Sequence, residues 1–296
     1  MRTDWSGSGI AGAAELSEPR KQGAPPRSLA SIPAGEWWFL YLGEGDAAWN
    51  MAVDEWLLST AAKRPPVLRL YGWKRPAVSL GRNEKWRDVV HLERLAEHGV
   101  SLVRRPTGGR AVLHDQEITY SVTAPAGVAG AWSSRLESAL SLVSRGLVRG
   151  LGRLGVPAEF SRRSSPGEGS PGGSLCFEST TRYELSVGGV KAVGSAQCRT
   201  EDAFLQHGSI PVKATLSALW KLGPQTRSCP EDPDLPEGLL ALADRPLDEL
   251  CTTLAAGFEE ETGCRGSWQG EEILDRSEIL ALAECKYGSD GWTLRR

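Results

Sequence analysis

A cysteine and a lysine are the side chains whose type and surroundings best support chemistry. Cys176 follows a stretch rich in glycine, serine and proline, residues 161–174, and precedes an aromatic residue. A mobile loop there would let a substrate reach the thiol, which needs a nearby cation to become a thiolate. Lys191 lies among apolar and small residues, where an inward-pointing amine could supply that cation or act as a base. The pair predicts a nucleophile and its activating lysine.

Each member of this pair also has a simpler interpretation. A lone cysteine is more often a small buried hydrophobe, and we assign that role to the other five cysteines. An isolated strand lysine more often protects a sheet edge from aggregation. From the residues alone, both interpretations of Cys176 and Lys191 stay open.

A glycine-rich run between arginines is the second candidate site. In the run Arg104–Asp115, Gly108 and Gly109 would let the backbone approach a ligand closely and expose N–H donors. Arg105 and Arg110 could bind a phosphate or the acidic surface of a carrier protein. A tight turn with solvated arginines explains the same residues equally well.

The histidines and cysteines do not have the spacing of a metal site. No C-x-x-C pair occurs among the six cysteines, and the four histidines are not spaced as zinc ligands. We therefore expect no metal. His114 and His207 could act as general acids or bases, although a lone histidine is more often a structural residue.

Composition narrows the class of protein. The chain has 296 residues, a net charge of −3 and 40% hydrophobic residues. A nucleic-acid-binding or membrane-surface protein would carry a basic excess, so we expect neither partner. No secretory signal or run of about 18 apolar residues is present, so we expect a cytoplasmic protein with reduced thiols. A monomer is favoured.

The candidate residues need strands and helices to position them. Strands are predicted at residues 37–42, 67–71, 77–80, 101–104, 117–123, 183–187, 190–196 and 203–212. The run 117–123 alternates as a half-buried strand does, and Gly188-Gly189 predicts a hairpin turn. Helices are predicted after Asp46 and at residues 85–97, 135–154, 247–260 and 278–286.

Short strands with interspersed helices, without strict alternation, predict an α+β fold with a mixed β-sheet core and flanking helices. Residues 1–35 lack periodicity and are expected to form a disordered tail. We expect one folded domain at residues 36–223. Residues 224–296 are expected to form a linker and a short helical C-terminal extension.

Four segments, taken together and in this order, resemble the class II biotin/lipoate protein ligase catalytic fold. They are Asn50–Glu55, Arg105–Asp115, the strand around Lys191 and Gln206–Ile210. The resemblance covers roughly residues 37–215 and is most similar to the LipM-type octanoyltransferases. Arg110 stands where ATP-dependent lipoate ligases typically have a third glycine. Cys176 stands where the transferases are expected to carry their nucleophile.

The resemblance implies a two-step acyl transfer without metal or cofactor. Octanoyl-acyl carrier protein would acylate Cys176, and a lysine of a lipoyl domain or of glycine-cleavage H protein would then accept the octanoyl group. Lys191 would activate both steps, and backbone N–H groups near Gly194-Ser195 would stabilise the oxyanion. The implied substrate-binding residues are Arg105, Thr107, Gly108, Gly109, Arg110, His114, Gly194, Ser195, Ala196 and His207.

Three alternatives stay open. An ATP-dependent lipoate ligase would activate free lipoate and would not need Cys176. A lipoyl amidotransferase would share the fold and the cysteine but take its acyl group from another lipoyl protein. A non-catalytic binder of lipoyl or acyl-carrier proteins would keep the pocket and form no acyl-enzyme.

Overall fold

The computed structural model describes residues 35–126, 136–160, 185–213, 221–224, 235–263 and 265–296, with side chains from residue 141 in the second range. The expected tail, the segment 161–174, Cys176 and most of the expected linker lie outside these ranges. None of the helices in the described part of the chain is long and apolar enough to cross a membrane.

The described strands form two sheets. The larger sheet has the order β11-β1-β2-β6-β10-β9-β8-β7, and the smaller one has the order β4-β3-β5. Strand β1 is parallel to β2 and β11, whereas the other pairs of the large sheet are antiparallel. The strands are β1 (Glu36–Gly45), β2 (Val67–Trp73), β3 (Ala77–Leu80), β4 (Ser101–Arg104), β5 (Val112–His114), β6 (Glu117–Pro125), β7 (Ala158–Phe160), β8 (Leu185–Val187), β9 (Val190–Arg199), β10 (Ala203–Pro211) and β11 (Arg265–Gln269).

Helices flank the sheets, which confirms the predicted fold class. A π-helical turn, Ala283–Tyr287, continues the sixth helix, and 3-10 turns occur at Ala61–Lys63, Trp86–Asp88 and Glu271–Ile273. The helices are α1 (Ala47–Thr60), α2 (Leu92–Glu97), α3 (Leu136–Arg153), α4 (Glu237–Leu240), α5 (Leu247–Thr262), α6 (Arg276–Leu282) and α7 (Asp290–Thr293).

One predicted helix is wrong. Residues 85–97 do not form a continuous helix, because a 3-10 turn at Trp86–Asp88 is separated from α2 by residues 89–91. The backbone N–H of His91 donates to the carbonyl of Leu222 instead of to a carbonyl one turn earlier. This bond to a distant segment replaces the helical bond at that point.

Strand β6 has a hydrophobic face and a polar face. Ile118, Tyr120 and Val122 belong to the main hydrophobic core, which α3 and α5 cover. The alternate residues, including Glu117 and Thr119, face the other way and are nevertheless buried. The prediction of a half-buried strand was therefore wrong about exposure, because the polar face packs inside the protein.

The hairpin between β8 and β9 confirms its sequence prediction. Gly188 and Gly189 have φ angles of +58° and +83°. Two successive residues with positive φ form the tight turn whose twist matches the strands, and glycine adopts this conformation without steric cost. The turn fixes the start of β9, the strand that carries Lys191 and Gly194–Ala196.

The last sixty residues add an element that the sequence did not predict. Strand β11 pairs in parallel with β1 and forms one edge of the large sheet. Helix α5 contributes Leu254 and Phe258 to the main core, and Ile279 of α6 packs in a second core beside α1. The helical C-terminal segment therefore packs on both faces of the sheet.

Candidate functional site

A pocket lies between the two sheets. Strands β2, β6, β9 and β10 of the large sheet form one side, and β3, β5 and the glycine-rich loop form the other. Its lining residues are Met51, Tyr71, Trp73, Ser79, Arg105, Val112, His114, Thr119, Gly194, Ser195, Ala196, His207, Gly208 and Ser209.

Below one end of the pocket is a group of residues that we call the Asp54 cluster: Asp54, Arg69, Tyr71, Ser121 and His207. The carboxylate of Asp54 accepts hydrogen bonds from Arg69 Nη1 at 2.7 Å and from Ser121 Oγ at 2.8 Å. Its other oxygen lies 3.1 Å from the Tyr71 hydroxyl and 3.0 Å from His207 Nδ1. Asp54 is fully buried.

The charges of this cluster fix the orientation of His207. Burial opposes the charged form of Asp54, but Arg69 and the bonds from His207 outweigh it and lower the pKa of the carboxyl. Burial lowers the pKa of His207, partly offset by its bond to Asp54. A neutral His207 with its proton on Nδ1 can accept at Nε2, which lies 2.7 Å from Thr107 Oγ1.

A second group, which we call the Glu117 cluster, contains Glu117, His114, Thr119 and Ser209. His114 Nδ1 lies 2.8 Å from Glu117, Ser209 donates to the carboxylate at 2.6 Å, and the Thr119 hydroxyl donates as well. Burial opposes the charged form of Glu117, but the charge and hydrogen bond of His114 and the two hydroxyl bonds prevail, so its pKa is lowered.

An indole ring fixes the position of His114 from the pocket side. The rings of Trp73 and His114 stack with centroids 4.1 Å apart. Trp73 Nε1 donates to Thr119 Oγ1 at 2.7 Å, so the indole is also tied to the Glu117 cluster. His114 Nε2 lies 2.7 Å from Ser79 Oγ on the small sheet.

Arg105 connects both clusters to the glycine-rich loop. Its Nε donates to Thr107 Oγ1 at 3.1 Å, and its Nη1 donates to Ser79 Oγ at 3.1 Å. Nη2 donates to the carbonyls of Gly108 and Arg110 at 2.8 and 2.7 Å. The buried guanidinium therefore stabilises the bent conformation of the loop.

The loop also depends on two close glycine backbones. A Cβ on Gly81 would lie 1.8 Å from the carbonyl oxygen of Gly109, so only glycine allows the two segments to cross there. Gly109 has a φ of +91°, which also favours glycine. Glu84 supports the crossing by accepting from the N–H groups of Gly81 and Ala111, both at 3.1 Å.

The opposite wall consists of closely spaced strands. A Cβ on Gly208 would lie 2.3 Å from the carbonyl oxygen of Gly194 and 2.7 Å from the Tyr120 ring. Glycine at this position therefore lets β9, β10 and Tyr120 approach each other. Ser195 Oγ lies 2.7 Å from the Tyr120 hydroxyl, which also accepts from Gln206 at 3.1 Å.

Every polar side chain that lines the pocket has a hydrogen-bond partner within the protein. The polar atoms point to one another or to the two buried carboxylates, so the surface that remains is mostly apolar. Such a pocket suits an apolar ligand, because a polar ligand would lose its bonds to water on entry.

The structure brings most of the predicted site residues together. Thr107, Gly108, Gly109 and Arg110 belong to the loop that Arg105 holds. The predicted residues that line the pocket are Arg105, His114, Gly194, Ser195, Ala196 and His207.

The predicted contact between nucleophile and lysine stays a prediction. Lys191 is only 8% exposed and lies on β9 opposite Ser186 of β8, three residues before Gly194. The pocket-lining residues of the described part do not include Lys191. Cys176 lies outside the described residues.

The two carboxylates on which the site is built were not predicted from the sequence. Asp54 lies on the buried face of α1 between Val53 and Trp56, where an acid needs a partner. Glu117 begins the polar face of β6, and the alternation of that strand was itself the available signal. Within the described ranges, no group of three or more His, Cys, Asp or Glu residues could hold a metal ion.

Comparison with known sequences gives the family. Residues 46–232 match the family model of the lipoyl protein ligase A/B catalytic domain. The chain is 38% identical over 273 residues to octanoyltransferase LipM of Kyrpidia tusciae, covering 88% of this chain and 99% of that protein. It is 35% identical over 288 residues to octanoyltransferase LipM of Symbiobacterium thermophilum, covering 88% and 98% of the two chains.

Solved structures share the fold. A lipoate-protein ligase A bound with ATP superposes with a TM-score of 0.68 at 22% identity, covering 88% of this chain and 98% of that one. The bipartite lipoate protein ligase of Thermoplasma acidophilum gives a TM-score of 0.67 at 21% identity, with coverage of 88% and 96%. With the family model and the full-length relatives, these confirm the resemblance, and the chain belongs to the lipoyl protein ligase A/B catalytic-domain family.

Proposed function

We propose that this protein is an octanoyltransferase of lipoate biosynthesis. It moves an octanoyl group from acyl carrier protein, through a thioester on Cys176, to a lysine of a lipoyl domain or of glycine-cleavage H protein. The observation that carries the proposal is the match over nearly the full length of relatives named octanoyltransferase LipM. No nucleotide enters the reaction.

The pocket supports an acyl substrate on physical grounds. Its polar lining groups are already paired, so the lumen offers carbon surface to an alkyl chain. Burial of an alkyl chain contributes about 0.8 kcal/mol per methylene. This contribution would hold the chain and leave the thioester at the pocket mouth.

In the first step, the Cys176 thiolate attacks the carbonyl carbon of the donor thioester. Lys191, in its ammonium form, stabilises the attacking thiolate. The bond to the carrier sulfur breaks, Lys191 donates a proton to that sulfur, and the carrier leaves as a thiol while Lys191 becomes a neutral amine. The product is an octanoyl thioester on Cys176.

In the second step, the amine of an acceptor lysine attacks that thioester, the amide forms and the Cys176 thiolate leaves. Lys191 accepts the proton that the amine loses. Backbone N–H groups near Gly194 and Ser195, two residues that line the pocket, supply the donors for the oxyanion.

The test is an acyl-enzyme measurement. The protein is incubated with octanoyl-acyl carrier protein, without ATP, and its intact mass is recorded. We expect a single octanoyl adduct that Cys176→Ala abolishes. Cys198→Ala is the matched control, because burial raises the pKa of the Cys198 thiol to about 11 and makes it a poor nucleophile.

Other outcomes separate the alternatives. Modification of a lipoyl domain that needs ATP and free lipoate, and that survives Cys176→Ser, would indicate a ligase. An adduct formed only from octanoyl-H protein would indicate an amidotransferase. Tight binding of carrier or lipoyl protein without any adduct would indicate a non-catalytic binder.

A further inference from the structure

Five side chains that line the pocket are hydrogen-bonded to two buried carboxylates. The carboxylates themselves do not line the pocket. Asp54 accepts from Tyr71 and His207, and Glu117 accepts from the remaining three. The five lining residues are Tyr71, His114, Thr119, His207 and Ser209. The carboxylates thus direct the polar atoms of the wall away from the lumen.

We propose that Asp54 and Glu117 are specificity-determining positioning residues that restrict the pocket to acyl chains without polar substituents. The proposal rests on the proposed function, since it assigns the pocket to the acyl group. The chains excluded are those of the same length that carry a hydroxyl group. Such chains differ from octanoyl by one polar group and would otherwise compete with it.

The chemistry of a carboxylate makes it suited to this role. A carboxylate only accepts hydrogen bonds, and its two oxygens can serve several donors at once. Glu117 serves three, with His114 and Thr119 on one oxygen and Ser209 on the other. Each side chain that donates to Glu117 can no longer donate that hydrogen to a substrate.

Arg105 also donates hydrogen bonds to two hydroxyl groups at the site, one of which lines the pocket. The hydroxyls of Thr107 and Ser79 lie between a histidine Nε2 and the Arg105 guanidinium, so each has a partner on both sides. A substrate hydroxyl entering the pocket would lose its bonds to water and find no free partner among the described residues. Apolar pockets of this kind reject an added hydroxyl by about 100-fold.

The main test is Glu117→Gln, assayed with octanoyl and 3-hydroxyoctanoyl carrier thioesters. The amide oxygen can still serve His114 and Thr119, but the amide nitrogen donates to Ser209 and turns its hydroxyl hydrogen into the pocket. We expect the ratio of kcat/KM values, octanoyl over hydroxyoctanoyl, to fall about tenfold. An unchanged ratio would overturn the proposal.

A double variant checks which group is released. In Glu117→Gln combined with Ser209→Ala, the released hydroxyl is absent. We expect the selectivity ratio to return to within about twofold of the wild-type value. A general loosening of the fold would instead leave the ratio low, and that result would contradict the proposed cause.

A second variant keeps the test valid if Glu117→Gln does not fold. Thr119→Val removes the acceptor of Trp73 Nε1 and leaves that donor at the pocket wall. We expect the same fall in selectivity. Thr123→Val, on the same strand, is the matched control, because the buried Thr123 hydroxyl has no partner among the described residues. Equal selectivity in the two valine variants would contradict the proposal.

Direct binding separates this inference from the proposed function. Octanoic acid and 3-hydroxyoctanoic acid are titrated into wild-type protein and Glu117→Gln by calorimetry. If the wild type forms no acyl-enzyme but prefers octanoic acid, and Glu117→Gln loses that preference, the pocket inference holds and the transferase function fails. Equal affinity of the wild type for the two acids would refute the pocket inference alone.

Discussion

The Asp54 and Glu117 clusters have the same parts but differ in how their charge is balanced. Each contains a buried carboxylate and a histidine whose Nε2 lies within hydrogen-bond distance of a hydroxyl that Arg105 also contacts. Asp54 also pairs with Arg69, which is 1% exposed. Among the described residues, Glu117 has no such permanent cation and relies on His114 and two hydroxyls.

This difference predicts that the Asp54 cluster contributes more to stability than the Glu117 cluster does. Arg69 also donates to the backbone carbonyl and the side chain of Asn50, so its charge joins α1 to β2. Asn50 in turn donates to the carbonyls of Gly45 and Gly72. The Asp54 cluster therefore ties elements together, whereas the Glu117 cluster mainly orients groups of the pocket wall.

The largest expected effect is that of Asp54→Asn. It leaves the Arg69 charge buried without its counter-ion, and an arginine cannot lose its proton to adapt. We expect the free energy of unfolding to fall by about 3–5 kcal/mol in urea titrations. Adding Arg69→Met should recover much of this loss, and failure of that rescue would contradict the ion-pair explanation.

Glu117→Gln should have a smaller effect on stability. Its partners are two hydroxyls and a histidine, all of which can adapt by rotating or by exchanging a proton. We expect a loss of about 1–3 kcal/mol, measured in the same titrations. A loss equal to that of Asp54→Asn would show that the two clusters do not differ as described.

Thr107→Val should cost less again. The substitution removes the hydroxyl between His207 and Arg105 and preserves the shape of the side chain. We expect a loss of about 1 kcal/mol, because Arg105 Nε keeps its bond to the Gly108 carbonyl. Thr123→Val is the control and should be close to neutral. Equal losses of stability in the two variants would show that the missing hydrogen bond is not the cause.

The smallest expected effect is a pH dependence from the Asp54 cluster. Because the pKa of His207 is lowered from 6.5, the unfolded chain takes up a proton first as the pH falls below that value, and stability falls. Asp54 and Glu117, with pKa values lowered from 3.8 and 4.5, lose their stabilising effect only in stronger acid.

His207→Gln isolates this contribution. The variant lacks the imidazole, so its stability should fall less than that of the wild type between about pH 7 and about pH 5.5. Urea titrations at the two pH values measure the difference. A steeper fall in the variant would mean that His207 is not held neutral in the folded state.

Local pattern was sufficient for most elements. The strands β3 and β4 begin and end where the sequence predicted, because short segments with apolar residues are bounded there by proline and glycine. Helix α3 differs by one residue at each end from the predicted range. Strand β11 was missed because Arg265–Gln269 has no alternation of its own and gains its structure from pairing with β1.

The site was predictable only in part, because its carboxylates contact residues that are far away in the sequence. The glycine-rich loop has a local signal and contributes Arg105 to the pocket wall, which His114 and His207 also line. Asp54 meets His207 across 153 positions, and Glu117 meets Ser209 across 92. No local pattern records such contacts, because they depend on which strands become neighbours in the sheet.

The order of strands in the large sheet has a consequence for synthesis on the ribosome. Helix α1 is made early, yet Trp56 receives its partner Glu278, and Glu55 its partner Lys286, more than two hundred residues later. Strand β1 likewise can pair with β11 only after β11 has been synthesised. A nascent chain that ends before α6 therefore exposes one flank of α1, and that flank is what a ribosome-associated chaperone would meet.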